Sequence, residues 1–264
     1  RFKKEYEITQ QLNHIDGVIH SYGLEEHPSL AIILEDFGGK PLAQCWNAEK
    51  FELAQFLSLA IRVTDILGNI HQQDVIHKDI NPSNILWNTE TDELRIIDFG
   101  IATTLPREKP SMLPVDILEG SISYLSPEQT GRMNRLLDYR TDFYSLGITF
   151  YQLLTGCLPF QMDDAMELVY SHITKKAKPP HEYNKKIPKV LSNIVMKLIA
   201  KTAEERYQST TALKFDLQKC LEQCSTIGEI PAFNIAQYNV SEKFQVSQQL
   251  YGRDEQLVTL LAAF

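Results

Sequence analysis

The sequence predicts an α+β protein in two unequal parts, a small strand-containing N-terminal part and a mainly helical body. Three observations predict this. Short β-type runs at 18–24 and 29–35 open the chain, and a second pair follows at 85–87 and 94–97. A long amphipathic stretch over 51–73 lies between the two pairs. After residue 140 strand signals stop, and apolar residues recur at helical spacing as far as residue 222.

Each element has its own justification. Residues 2–13 read as a helix, with Phe2, Tyr6, Ile8 and Leu12 set among charges at helical spacing. The two runs that follow are separated by a turn at Glu25-Glu26-His27-Pro28. The second contains Leu30-Ala31-Ile32-Ile33-Leu34, the continuous apolar type expected of a buried strand. Phe37-Gly38-Gly39-Lys40-Pro41 breaks that pattern. The helix over 51–73 carries Leu53, Phe56, Leu57, Ala60, Leu67 and Ile70 on one stripe, with Asn47 or its neighbours expected to cap it. The polar link 88–93 suits a hairpin between the second pair of strands. Helices are expected at 141–154, 164–175, 188–200 and 209–222, punctuated by prolines such as Pro159, Pro180 and Pro188.

Composition narrows the class. Of 264 residues, 43% are hydrophobic and 23% charged, which suits a protein with an ordinary buried core. The net charge of −8 argues against a nonspecific grip on nucleic acid or an anionic membrane. No apolar run reaches the ~18–20 residues of a membrane span, so none is expected in this segment. Cys45, Cys157, Cys220 and Cys224 form no C-x-x-C pair, and a reducing cytoplasm is the expected location.

The chemistry concentrates in Ile76-His77-Lys78-Asp79-Ile80-Asn81-Pro82-Ser83-Asn84-Ile85-Leu86, followed by Asp98-Phe99-Gly100 at a strand end. An acid, an amide five positions on and a second acid suit phosphoryl transfer. One carboxylate orients the attacking hydroxyl and takes its proton, while amide and carboxylate oxygens hold Mg²⁺ against phosphates.

These stretches resemble the H-x-D-x-x-x-x-N loop and D-F-G motif of eukaryotic-type (Hanks-type) serine/threonine protein kinases. The resemblance implies a two-lobed fold with the small lobe truncated and the large lobe mainly helical. It assigns Asp79 as catalytic base, Asn84 and Asp98 as Mg²⁺ ligands, and His77 and Phe99 as a stacked pair between lobes. Glu5 matches the helix glutamate that pairs with a strand lysine. Leu34-Glu35-Asp36-Phe37 matches the hinge that offers backbone groups to ATP, so Leu34, Glu35 and Phe37, with Leu86, are the expected nucleotide contacts. Ser126-Pro127-Glu128 stands for A-P-E, with Arg206 as the partner of Glu128. Asp142-Phe143-Tyr144-Ser145-Leu146-Gly147 stands for D-x-W-S-x-G, with Asp142 bracing the catalytic loop. Ser121 is expected to touch the catalytic base. Small-molecule kinases of the aminoglycoside-phosphotransferase kind share the loop motif but lack the 120–128 segment and the Asp142 helix start, so proteins are the expected substrates.

Three departures qualify this. No Gly-x-Gly-x-x-Gly or V-A-I-K precedes Glu5, so the sequence is expected to be a fragment that does not hold ATP productively. Asn81, expected with Asp79 and Glu5 among the catalytic residues, stands where such kinases carry lysine, and a pseudokinase scaffold is the alternative. Lys78 replaces the arginine that grips a phosphorylated activation loop, so little dependence on such phosphorylation is expected, with Thr103, Thr104 and Ser111 as candidate sites.

The expected organisation is a partial small lobe at 1–36, a large lobe at 37–223, a linker at 224–246 and the start of an ATPase-like domain at 247–264. The last rests on Tyr251-Gly252-Arg253-Asp254-Glu255, which resembles the opening of AAA-type or STAND-type ATPase modules. Together with the kinase motifs it resembles the kinase module of large bacterial multidomain signalling proteins, where a histidine kinase often follows. Downstream domains of the same polypeptide are therefore expected partners beside protein substrates.

Overall fold

A computed structural model describes residues 2–27, 29–104, 121–133, 135–227 and 230–240. The N-terminal part consists of helix α1 (Phe2–Leu12) and a two-stranded antiparallel sheet, β1 (Ser21–Glu25) and β2 (Ala31–Leu34). Helix α1 forms because Ile8 and Leu12 face inward, and it packs against the hairpin. The run expected to be a buried strand is largely open to solvent. Leu30, Ile33 and Leu34 are 36%, 41% and 42% exposed, because among the described residues the sheet has only two strands and α1 covers one side.

A second sheet has the order β3 (Lys40–Pro41), β4 (Ile85–Trp87), β5 (Leu94–Ile96), all antiparallel. The last two strands are the hairpin expected from the sequence, with Ile85 opposite Ile96. Strand β3 and the single-turn helix α2 (Leu42–Cys45) fall where only a break was expected. The Ile19 amide donates to the Ile96 carbonyl at 3.1 Å, and the Ile96 amide to Gly17 at 2.7 Å, which ties the N-terminal part to β5.

Helix α3 (Leu53–Gln72) is the core helix of the body, with Phe56, Leu57, Ala60, Val63, Leu67 and Ile70 buried. It is the one described helix long and apolar enough to cross a membrane, yet it is packed against α8 (Thr210–Ile227). Its N-cap is Glu52, without a side-chain bond. Asn47 instead turns its Oδ1 to the Glu49 amide at 2.9 Å, so the expected cap is not made.

Helices α4 (Arg140–Thr155), α5 (Ala165–Thr174), α6 (Pro180–Tyr183) and α7 (Lys189–Leu198) complete the body. Helix α4 is buried almost throughout, and it ends at Gly156, whose φ of 77° a side chain would strain. Residues 230–240, within the stretch expected to be a linker, lie against α8. The Ala236 amide donates to Asp216 at 2.7 Å, and Asn239 Oδ1 accepts from the Gln208 amide at 2.6 Å. The ATPase-like opening at 247–264 and the candidate phosphosite Ser111 fall outside the described residues.

Candidate active site

The loop between α3 and β4 carries the site, and Asp142 at the start of α4 fixes its backbone. Asp142 is fully buried, accepting from the Lys78 amide at 2.7 Å, the His77 amide at 2.9 Å and His71 Nε2 at 2.8 Å. Burial alone would raise its pKa, but the hydrogen bond and charge of His71, with the His77 amide, outweigh it and hold the carboxyl below its usual range. The brace expected from the sequence is therefore built.

Asp79 stands half-exposed at the head of the loop. Its Oδ1 accepts from Asn81 Nδ2 at 3.0 Å and from the Ser121 amide at 3.1 Å, and its Oδ2 accepts from Asn84 Nδ2 at 3.2 Å. A carboxylate offers about four lone-pair sites, so these three bonds leave about one for an incoming hydroxyl proton. Asn84 also donates to the Asp79 carbonyl at 2.9 Å, which directs its amide nitrogen at Asp79 and leaves the carbonyl oxygen for another ligand.

Asn81 does not stand in for a phosphate-facing lysine. It is 3% exposed, its Oδ1 accepts from the Ser83 amide at 2.9 Å, and its Nδ2 joins Asp79 to Ser121 Oγ at 3.3 Å. The second acid, Asp98, follows β5. Ile97 donates to the Asn84 carbonyl at 3.0 Å, so Asn84 and Asp98 sit at the same end of the β4–β5 hairpin. Asp98 is exposed, has a φ of 65° and accepts from the Gly100 amide at 3.1 Å. An exposed carboxylate beside an unspent amide oxygen is a hard-oxygen pair that fits Mg²⁺ and leaves room for its waters. Behind them Phe99 packs on His77 with ring centroids 4.9 Å apart, and His77 Nε2 bonds the Ile97 carbonyl at 3.0 Å.

The expected nucleotide contacts are placed less uniformly. Leu34 is exposed on β2, and Leu86 is part-exposed in the middle of β4 between Pro41 and Arg95. The Glu35 amide is already bonded to the His20 carbonyl at 2.9 Å. Its carboxylate accepts from the His20 amide at 2.9 Å and from Arg95 Nε at 3.0 Å, which is a structural role. The Phe37 carbonyl accepts from Asn88 Nδ2 at 2.6 Å, and Arg95 lies 5.2 Å from its ring. Glu5 lies in the first turn of α1, on the N-terminal part and away from this loop in sequence. Of the candidate phosphosites, Thr103 is 4% exposed and its backbone pairs with Ile76, so it is not open to modification as placed, whereas Thr104 is exposed.

The segment that follows supplies a second anchor. Glu128 takes a two-pronged bond from Arg206 at 2.6 and 2.8 Å and a third from Thr141 Oγ1 at 2.9 Å. The remaining Arg206 donors reach the carbonyls of Arg140 at 2.9 Å, Ala200 at 2.9 Å and Lys201 at 3.3 Å, so all five are used. Burial opposes the charge on Glu128, yet the Arg206 guanidinium holds its carboxyl below the usual range. Gln129, to which the sequence reading gave no role, donates to the Lys78 carbonyl at 2.8 Å. The signal for it was the S-x-x-Q spacing of Ser126 and Gln129, which marks a capping box.

A carboxylate with about one open lone pair, a hard-oxygen pair at the end of the neighbouring hairpin and a braced loop are the parts that a phosphotransfer site on a kinase-like fold requires. The comparisons agree: the protein kinase domain family matches residues 1–217, and the chain belongs to that family. It is 34% identical to a Clostridium perfringens protein named a probable serine/threonine-protein kinase, over 83% of this chain and 31% of that protein. It is 30% identical to the Myxococcus xanthus serine/threonine-protein kinase pkn3, over 83% and 41%. It is 29% identical to the Dictyostelium discoideum hybrid signal transduction histidine kinase G, over 82% of this chain and 9% of that protein. The chain thus spans less than half the length of each of these relatives.

Proposed function

We propose that this domain transfers the γ-phosphate of ATP to serine or threonine hydroxyls of proteins. The observation that carries the reading is the Asp79 carboxylate, held by three donors with about one lone pair left over. In the proposed step the substrate hydroxyl lies against Asp79. Its oxygen attacks the γ-phosphorus in line with the β–γ bridging oxygen, its proton passes to Asp79, and the bond to the bridging oxygen breaks to release ADP. Asn81 and Ser121 keep Asp79 oriented, and Asn84 and Asp98 would hold Mg²⁺, which neutralises phosphate charge when bound. The names of the bacterial relatives support serine and threonine as acceptors.

A second reading, a kinase-shaped scaffold that regulates neighbouring domains, draws on Asn81. Its amide is spent on Asp79 and Ser121, so it supplies no cation to the transferred phosphate. The histidine-kinase relative supports a multidomain setting for either reading. Labelled γ-phosphate and generic protein substrates, offered to the full-length protein and followed by phosphoamino-acid analysis, separate the two. Label on phosphoserine or phosphothreonine supports the enzyme. Folded, nucleotide-binding protein that transfers nothing supports the scaffold.

A further inference from the structure

Lys78 precedes the base Asp79 and has a φ of 71°, a left-handed conformation that is costly for a residue with a side chain. Such a conformation persists only where its surroundings over-determine it. Two groups from different elements do so here. The Lys78 amide is held by Asp142 Oδ1 at 2.7 Å, and its carbonyl by Gln129 Nε2 at 2.8 Å.

Gln129 is itself firmly placed. It is 8% exposed, in the 3-10 turn Pro127–Thr130 that follows Ser126. Its Oε1 accepts from the Ser126 amide and hydroxyl, both at 3.0 Å. One amide group thus caps its own turn with its oxygen and reaches the catalytic loop with its nitrogen. Next to it, Glu128 is locked to Arg206, so the turn cannot drift.

We propose that Gln129 is a positioning residue of the phosphotransfer site. It holds the strained Lys78 peptide so that Asp79 faces the substrate hydroxyl, and it couples the base to the order of the segment that ends at Glu128. The proposal rests on the kinase reading for its kinetic consequence, but not for its structural one. The Asp79 amide donates to His77 Nδ1 at 3.2 Å, and that bond depends on the same peptide geometry.

The chemistry supplies a discriminating variant. In Gln129→Glu the side-chain oxygens still cap Ser126, since glutamate serves that position as well. The donor to Lys78 is lost, and a carboxylate is set against a carbonyl. Gln129→Met keeps the length without charge or donor. In the full-length protein, kcat is expected to fall about 10–100-fold in both variants, since a small misplacement of a reacting group costs that much. KM for ATP and for protein substrate is expected to stay within about twofold, as fits an interaction made in the transition state. Hydrogen exchange at the Asp79 amide is expected to quicken in both. If Gln129→Glu does not fold, Gln129→Met decides. A kcat within about twofold of the unmodified protein overturns the proposal, as does unchanged Asp79 exchange. Should the unmodified protein transfer no phosphate, the kinase reading fails, and the exchange rates alone judge the strut: faster supports it, unchanged overturns it.

Discussion

Asn81 departs most from the sequence-based expectation. The loop spacing made Asp79, Asn84 and Asp98 legible, because the motif places them and the hairpin delivers the last two to one end. The orientation of Asn81 was not legible. Its Nδ2 is directed by Ser121, forty residues away, while its Oδ1 accepts locally from the Ser83 amide. Pairings at such separations leave no local trace in sequence. The same holds for His172, which is fully buried against Tyr144 with ring nitrogen and hydroxyl 2.9 Å apart. Burial, then the nearby Lys201 charge, push the His172 pKa down to about 3. The unfolded chain therefore takes up a proton there below about pH 6.5 that the folded chain refuses, and stability falls with acidification from that pH towards about 3. The depressed carboxyls of Glu128 and Asp142 act in the same direction at lower pH. Their stabilisation is present above the ordinary carboxylate range and is lost as pH falls through their folded values. Denaturant midpoints measured from pH 7 to pH 4 should decline, and His172→Gln should flatten the part above about pH 4.5. An equal decline in that variant would remove His172 from the explanation.

The long helices were legible at the scale of elements, because amphipathic spacing over ten or more residues is a strong local signal. Strand β3 and helices α2 and α6 were not, since two to four residues carry no period and their pairing partners fix them. The run Leu30–Leu34 misled for a related reason: apolar content marks a strand, but the neighbours of that strand decide its burial. Packing between helices sets one sharp constraint. A Cβ added at Gly147 on α4 would lie 2.6 Å from Leu198 Cβ and 3.2 Å from the Ile199 backbone nitrogen. Part of that obstacle is backbone, which cannot rotate away. Gly147→Ala is therefore expected to destabilise the protein by about 1–3 kcal/mol, read as a lower denaturant midpoint at unchanged slope. An unchanged midpoint would mean that α4 and α7 separate more easily than their packing implies.

Across the whole molecule, buried ties link elements distant in sequence. Arg206 bonds Glu128 and the Arg140 carbonyl at the start of α4, lies 5.0 Å from the Tyr144 ring, and its own carbonyl accepts from Asn239 at 3.2 Å. The pairing of Glu128 with Arg206 was implied by family resemblance, whereas the return of residues 230–240 onto this hub was not. That stretch has little helical periodicity, and it is held by Asp216 and by a Phe215–Tyr238 contact at 4.9 Å. Replacing a buried ion pair by apolar groups can be neutral, but removing one partner leaves a charge stranded. Glu128→Ala is accordingly expected to cost about 3–5 kcal/mol, with chemical denaturation as the measure. A loss under about 1 kcal/mol would show that water reaches Arg206.

Two buried ties, from Asp142 and Gln129, meet at the loop that presents Asp79, and the role of Asp79 as the base for phosphoryl transfer is the claim most open to direct trial. The measurement is single-turnover transfer of labelled γ-phosphate by the full-length protein and its Asp79→Asn variant, with nucleotide affinity determined in parallel. Loss of about 10²–10⁴-fold in the transfer rate, with ATP affinity retained, is the expected result. Transfer at an undiminished rate in Asp79→Asn would contradict it.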